Sequence, residues 1–132
     1  MKITPDTNVL LRAILGDDAL QTPKARELLE SAEEVVLTFL VLAELDWVLR
    51  KQAKWSREAV AATIGGLLAK PNVRGHRWTI DEGLAALSAG ADFADGVIAY
   101  DGAWQRGDTF ATFDQRAASV MQARGSSVLL LE

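Results

Sequence analysis

The chain has 132 residues, enough for one domain with a buried core, and its 49% apolar and 24% charged residues match a globular protein. No apolar run is long enough to span a bilayer, and the absence of cysteine excludes both a disulfide framework and a thiolate metal centre. The formal net charge of −4 argues against a simple polybasic nucleic-acid binder, and fits a chain whose carboxylates cluster to hold divalent cations.

The N-terminus, Met1-Lys2-Ile3-Thr4-Pro5-Asp6, has an acid where a secretory signal would need an apolar stretch, so a cytoplasmic protein is expected. Ile3 to Asp6 reads as a short strand entering a turn. Pro5 cannot donate to a ladder and so belongs at the strand's end. Asn8 to Leu15 reads as a mostly apolar helix, stopped near Gly16-Asp17-Asp18. Thr22 to Ala32 is a second helix, with Pro23 in its first turn. Val35 to Thr38 reads as a strand and Leu40 to Lys54 as a long helix. Ser56 is a suitable cap for a helix over Arg57 to Ala69. Val73 to Trp78 holds a short strand, and Ile80 to Ala89 and Phe93 to Gln105 are helical. Strands at Thr109 to Phe113 and Val128 to Leu131 flank a helix over Gln115 to Ala123. Strands alternating with helices predict an α/β fold with a parallel sheet, in which the continuous apolar run Val128 to Leu131 would be covered on both faces. The whole chain, residues 1–132, is expected to form a single domain.

In open parallel sheets, sites form outside the carboxyl ends of the strands. Asp6 follows the first strand and Asp114 the penultimate one, although each would serve equally as a helix N-cap. Glu44 has Leu40, Val41, Trp47 and Val48 as helical neighbours, which predicts a carboxylate in a buried stripe with Trp47 in the core. Asp46 has Arg50 four residues on, which reads as a surface ion pair. Asp92 and Asp95 have capping-box spacing, but Asp95 lies among Ala91, Ile98 and Ala99 and so faces inward. Gly96 weakens that helix and points to close approach by another group. Carboxylates packed together repel unless a positive charge is shared, and an all-oxygen donor set selects Mg²⁺ or Mn²⁺. The lone His76 has no histidine companion and sits in a polar loop.

Asp6-Thr7-Asn8-Val9-Leu10, Glu44 in an apolar helix, Asp92-Phe93-Ala94-Asp95-Gly96-Val97-Ile98-Ala99 and Thr112-Phe113-Asp114, in this order across the whole chain, resemble a PIN domain of the VapC toxin type. The resemblance implies a three-layer α/β/α fold with a parallel sheet of four or five strands. It implies a Mg²⁺- or Mn²⁺-dependent endoribonuclease, frequently a homodimer, blocked by a cognate antitoxin. Carried over by motif, Asp6, Glu44, Asp95 and Asp114 form the acidic quartet, with Asp6 and Asp95 as main metal ligands and Asp92 as an auxiliary acid. Asn8 and Thr112 match positions that orient the acids. Pro5, before the first acid, and Tyr100, after Ile98-Ala99, depart from the usual pattern. In such a site the cation activates water for in-line attack on the phosphodiester.

Arg12, Lys24 and Arg26 lie nearest the expected mouth and are candidates for RNA phosphate contact. Arg50, Lys51, Lys54 and Arg57 read as a solvated helix end. Trp55, Trp78 and Trp104 suit the core, a dimer interface or an antitoxin groove. Three rival readings are weighed. Asp6-Thr7-Asn8 resembles the nucleophile loop of haloacid-dehalogenase-like phosphatases, but Asn8 stands where that loop needs a second acid. A receiver-like signalling domain would carry a lysine where Phe113-Asp114 stands. A non-catalytic RNA-binding module would not need its acids intact.

Overall fold

The computed structural model describes residues 1–132. Five short strands and seven helices alternate. The strands are β1 (Lys2–Ile3), β2 (Glu34–Val36), β3 (Val73–Arg74), β4 (Phe110–Thr112) and β5 (Val128–Leu130). The helices are α1 (Thr7–Leu15), α2 (Gln21–Ser31), α3 (Phe39–Trp47), α4 (Arg57–Leu68), α5 (Arg77–Ala89), α6 (Phe93–Trp104) and α7 (Gln115–Ala123). α3 runs on into a π-helical turn over Val48–Gln52. All strand pairings are parallel, as the alternation predicts.

The expected sheet of four or five strands does not form. β1, β2 and β3 make one sheet in that order, and β4 and β5 make a separate pair. β1 has only two paired residues, and Pro5 has no amide hydrogen to carry its ladder further. Nor is Val128 to Leu131 covered on both faces. Leu129, Leu130 and Leu131 are all exposed, because a two-strand ribbon with α7 packed against it leaves one side open. The short strand expected within Val73 to Trp78 forms at Val73–Arg74, and α5 has begun by Arg77.

The main core joins β2 to α1, α3, α4, α5 and α6 through Val35, Leu10, Leu42, Leu45, Ile64, Ile80 and Phe93. α3 turns a different face inward from the one the apolar spacing suggests. Leu42, Leu45, Asp46 and Leu49 are buried, whereas Glu44 and Trp47 are exposed. Nearly every residue of α3 is apolar, so hydrophobic periodicity hardly distinguishes its faces. The phase is set by the partner available to Asp46. Arg50 follows one turn later with its side chain 7% exposed, and so can neutralise the buried carboxylate.

α5 and α6 form the tightest helix pair, and two glycines permit it. A Cβ at Gly83 would meet the Phe93 ring at 2.6 Å, and one at Gly96 would collide with the Glu82 carbonyl and lie 2.7 Å from Ala86 Cβ. The close approach read from Gly96 is therefore real. It fixes the start of α6 against the body of the protein.

Candidate active site

Asp6, Asp92, Asp95 and Asp114 stand where a strand or loop hands over to a helix, whereas Glu44 lies within α3. Asp6 caps α1, its Oδ1 accepting the Val9 amide at 3.0 Å. Asp114 caps α7, its Oδ1 accepting the amides of Arg116 and Ala117. Asp95 Oδ2 accepts the Asp92 amide at 3.0 Å, closing the first turn of α6. The capping role and the functional role are compatible. A carboxylate with one oxygen on a backbone amide has its other oxygen free for a ligand, and its orientation is set in advance.

Asp6 and Glu44, from distant parts of the chain, open onto one depression of about 380 Å³, together with Thr7, Asn8 and Thr38. The Thr7 hydroxyl donates to Glu44 Oε2 at 3.1 Å and links the start of α1 to α3. Neither acid is ion-paired. Glu44 is thus a solvent-facing carboxylate at the mouth of the site and not a buried one. Thr7 is a site residue that sequence reasoning missed, its hydroxyl being hidden inside a motif read for its acid.

The second group lies around the start of α6. Asp95 is half-buried and its carboxyl is pushed above the ordinary aspartate range. Burial is the main cause, and repulsion from Asp92 and Asp114 adds to it, against the lowering effect of the Asp92 amide and of Arg50. Asp114 therefore lies within electrostatic reach of Asp95, as the motif order implies. Thr112 Oγ1 accepts the Asp114 backbone amide at 3.0 Å and fixes the turn before α7, without bonding to the Asp114 carboxylate. The Asn8 side chain bonds to no acid. It lines the Asp6 depression and the neighbouring one.

Asp92 is held differently. Its Oδ1 accepts from Arg50 Nη2 at 2.7 Å, and the same guanidinium clasps Asp46 through Nε at 2.6 Å and Nη2 at 2.9 Å. Asp46 Oδ2 also accepts the Phe93 amide at 3.0 Å. These bonds hold the Arg50 guanidinium firmly charged, the bond from Asp46 contributing most. Asp46–Arg50 is therefore no surface pair. It is a buried clasp from α3 to the start of α6, where it orders Asp92 and, through it, Asp95. Arg57 completes the arrangement by donating to the carbonyls of Leu87 and Ala91. Arg50 and Arg57 thus brace the turn between α5 and α6 and are not a solvated helix end. The sequence showed the Asp46–Arg50 spacing but not its burial, because α3 has no polar face to mark its outside.

The expectation that the acids meet at one point is not met. No three aspartate, glutamate or histidine side chains converge closely enough to hold an ion among themselves. Asp6, Asp95 and Asp114 each commit an oxygen to a helix start, and Asp92 is taken by Arg50. The donor chemistry still fits a hard divalent cation. All the donors are carboxylate oxygens, the quartet Asp6, Glu44, Asp95 and Asp114 contains no ion-paired member, and Mg²⁺ characteristically keeps several waters while taking only one or two carboxylates.

Of the basic candidates, Arg12 and Lys24 line a depression of about 320 Å³ that shares Asp6 and Asn8 with the first. Arg26 has a structural bond, from Nε to the Ala13 carbonyl at 2.9 Å, and Arg12 is also engaged, its Nε donating to Gln21 Oε1 at 2.7 Å and its Nη1 lying 3.5 Å from Asp17 Oδ1. His76 is exposed just before α5, as a surface residue should be. No helix is long and apolar enough to cross a membrane.

No curated protein sequence matches the chain. The family model described as PIN domain matches residues 3–128, nearly the whole length, and members of that family are generally metal-dependent nucleases. The chain belongs to the PIN domain family.

Proposed function

We propose that this PIN domain is a Mg²⁺- or Mn²⁺-dependent endoribonuclease of the VapC type, the toxin of a toxin–antitoxin pair, acting in the cytoplasm as a homodimer and silenced by its cognate antitoxin. The observation that carries the catalytic part is the Asp6–Glu44 depression. Two carboxylates open onto it, Thr7 sets the position of one of them, and no lysine or arginine is paired with either. Asp95, half-buried beside Asp92 and Asp114, adds further negative potential that a divalent cation would relieve.

The residues that would hold the cation are Asp6 and Asp95, with Glu44 and Asp114 completing its surroundings. When bound, it would lower the pKa of water and offset charge on the phosphate oxygens. The chain's own part is to aim the donors. Backbone amides at the starts of α1, α6 and α7 orient Asp6, Asp95 and Asp114. Thr7 directs Glu44, whose free oxygen can accept a proton from water in the depression. Arg50 keeps Asp92 and the start of α6 in place and leaves Asp95 as the unpaired acid of that turn. Arg12 and Lys24 border Asp6 and suit the phosphates of the substrate.

The test is cleavage of single-stranded RNA by the purified chain with EDTA, with added Mg²⁺ and with added Mn²⁺. Cleavage that EDTA abolishes and either ion restores supports the reading. Equal cleavage in EDTA, or none with either ion, overturns it.

A further inference from the structure

Beyond the carboxylates the surface continues as a trough that the catalytic reading does not use. The Asp6–Glu44 depression shares Thr38 and Leu40 with a second depression of about 630 Å³, which follows the carboxyl ends of β2 and β3. The second shares Gly75 and His76 with a third of about 400 Å³, lined by Trp78, Tyr100 and Trp104. The three depressions therefore adjoin one another through shared residues, and the series runs from the acids to an aromatic end.

The chemistry changes along the way. Neither the second depression nor the third is lined by any aspartate or glutamate, although the chain carries a net charge of −4. Their charged lining is Arg74, which pairs with Glu34 at 4.0 Å and donates to the Pro71 and Val73 carbonyls, and Arg77, with His76 between them. Arg77 Nη2 is anchored on the Leu68 carbonyl at 2.5 Å, which fixes its charge at the lip of the third depression. Aromatic rings lie among these side chains. Phe39 and His76 lie 6.3 Å apart, and Tyr100 meets Trp104 edge-on at 6.4 Å. Trp78 is 75% exposed and Trp104 70% exposed, so their ring faces are open. Large exposed indoles beside Arg77, in a depression with no acid in its lining, match a polyanion carrying flat bases. An interface between two copies would instead have a core depleted of charge.

We propose that this trough is a binding track for single-stranded RNA, with unpaired bases stacking on Trp78 and Trp104 and phosphates lying against Arg77. Duplex RNA is excluded, because its bases are already stacked on one another. The proposal rests on the nuclease reading but concerns different residues.

The experiment is fluorescence anisotropy of a labelled single-stranded RNA of about 12 nucleotides binding to the full chain in EDTA, where cleavage is blocked. Trp78→Ala and Trp104→Ala are both surface changes that leave the core intact. Each should weaken binding by roughly 5- to 150-fold, the loss of one stacked base. A duplex of the same length should bind with equal affinity to wild type and variants. Unchanged affinity of both variants for the single strand overturns the track. So does a shift from two copies to one in sedimentation with RNA affinity unchanged, which would assign the indoles to an interface. Metal-dependent cleavage by variants with unaltered affinity would sink the track and leave the nuclease reading standing. A wild-type chain that neither binds nor cuts the RNA would sink both.

Discussion

Arg50 Nη2 donates to Asp92 Oδ1 at 2.7 Å while the same guanidinium holds Asp46, which is 1% exposed. One arginine in the π turn after α3 thereby ties that helix to the start of α6. A buried carboxylate with a satisfied partner is tolerated, but one whose partner is removed is not. Arg50→Met should therefore destabilise the fold by about 3–5 kcal/mol in urea melts. Combining it with Asp46→Leu should recover most of that loss, because the one acid still without its arginine, Asp92, is partly exposed to water. Cleavage should not recover with stability, since the start of α6 and Asp95 would still lack their anchor. A double variant with wild-type activity would show that the clasp serves stability alone.

Asp6 both caps α1 and faces the depression shared with Glu44. Asparagine caps a helix as well as aspartate does. Asp6→Asn should therefore keep the melting temperature and abolish cleavage. Thr7→Val keeps every carboxylate and removes only the hydroxyl that positions Glu44. Its cleavage rate should fall by roughly 10- to 100-fold, the usual cost of losing an orienting partner. Equal rates in Asp6→Asn and wild type would remove Asp6 from the site.

The Asp95 carboxyl titrates above its ordinary value because burial and the neighbouring acids disfavour its charge. As pH rises from below that ordinary value, the unfolded chain releases this proton first and the folded chain only later. Across that window the folded state binds more protons, so this group lowers stability as pH rises, and its effect is constant once both states are ionised. Asp95→Asn, compared with wild type in EDTA from acid to neutral pH, should gain relative stability through the window and then hold a fixed difference. Urea melts at several pH values measure this. A difference that stays constant from acid to neutral pH would contradict the burial argument.

Gly96 allows α6 to lie directly on α5, where an added Cβ would strike the Glu82 carbonyl. Backbone cannot yield as a flexible side chain can. Gly96→Ala should therefore destabilise the protein by about 1–3 kcal/mol, despite alanine's better helix propensity. Activity should drop further than stability explains, because the displaced turn carries Asp95. Gly66 lies on α4 with nothing near its Cβ position. Gly66→Ala is the matched control and should be neutral or stabilising in the same thermal melts.

Much of this protein is legible in its residues. Ser56, Asp6 and Asp114 are of a type that starts helices and do cap α4, α1 and α7. The order of the acidic motifs marks the family that the whole chain matches. These features are local, since a cap needs only its own first turn and a motif only its own spacing. Which face of α3 turns inward could not be read, because an almost wholly apolar helix has no polar side to mark its outside. That choice was made by the Arg50 clasp on Asp46 and Asp92, which binds residues from two helices far apart in the chain. The break between β1 and β4 and the trough from Glu44 to Trp104 were likewise decided only in the folded chain. Strand neighbours and shared surfaces depend on where distant segments come to rest, and no periodicity along the sequence encodes that.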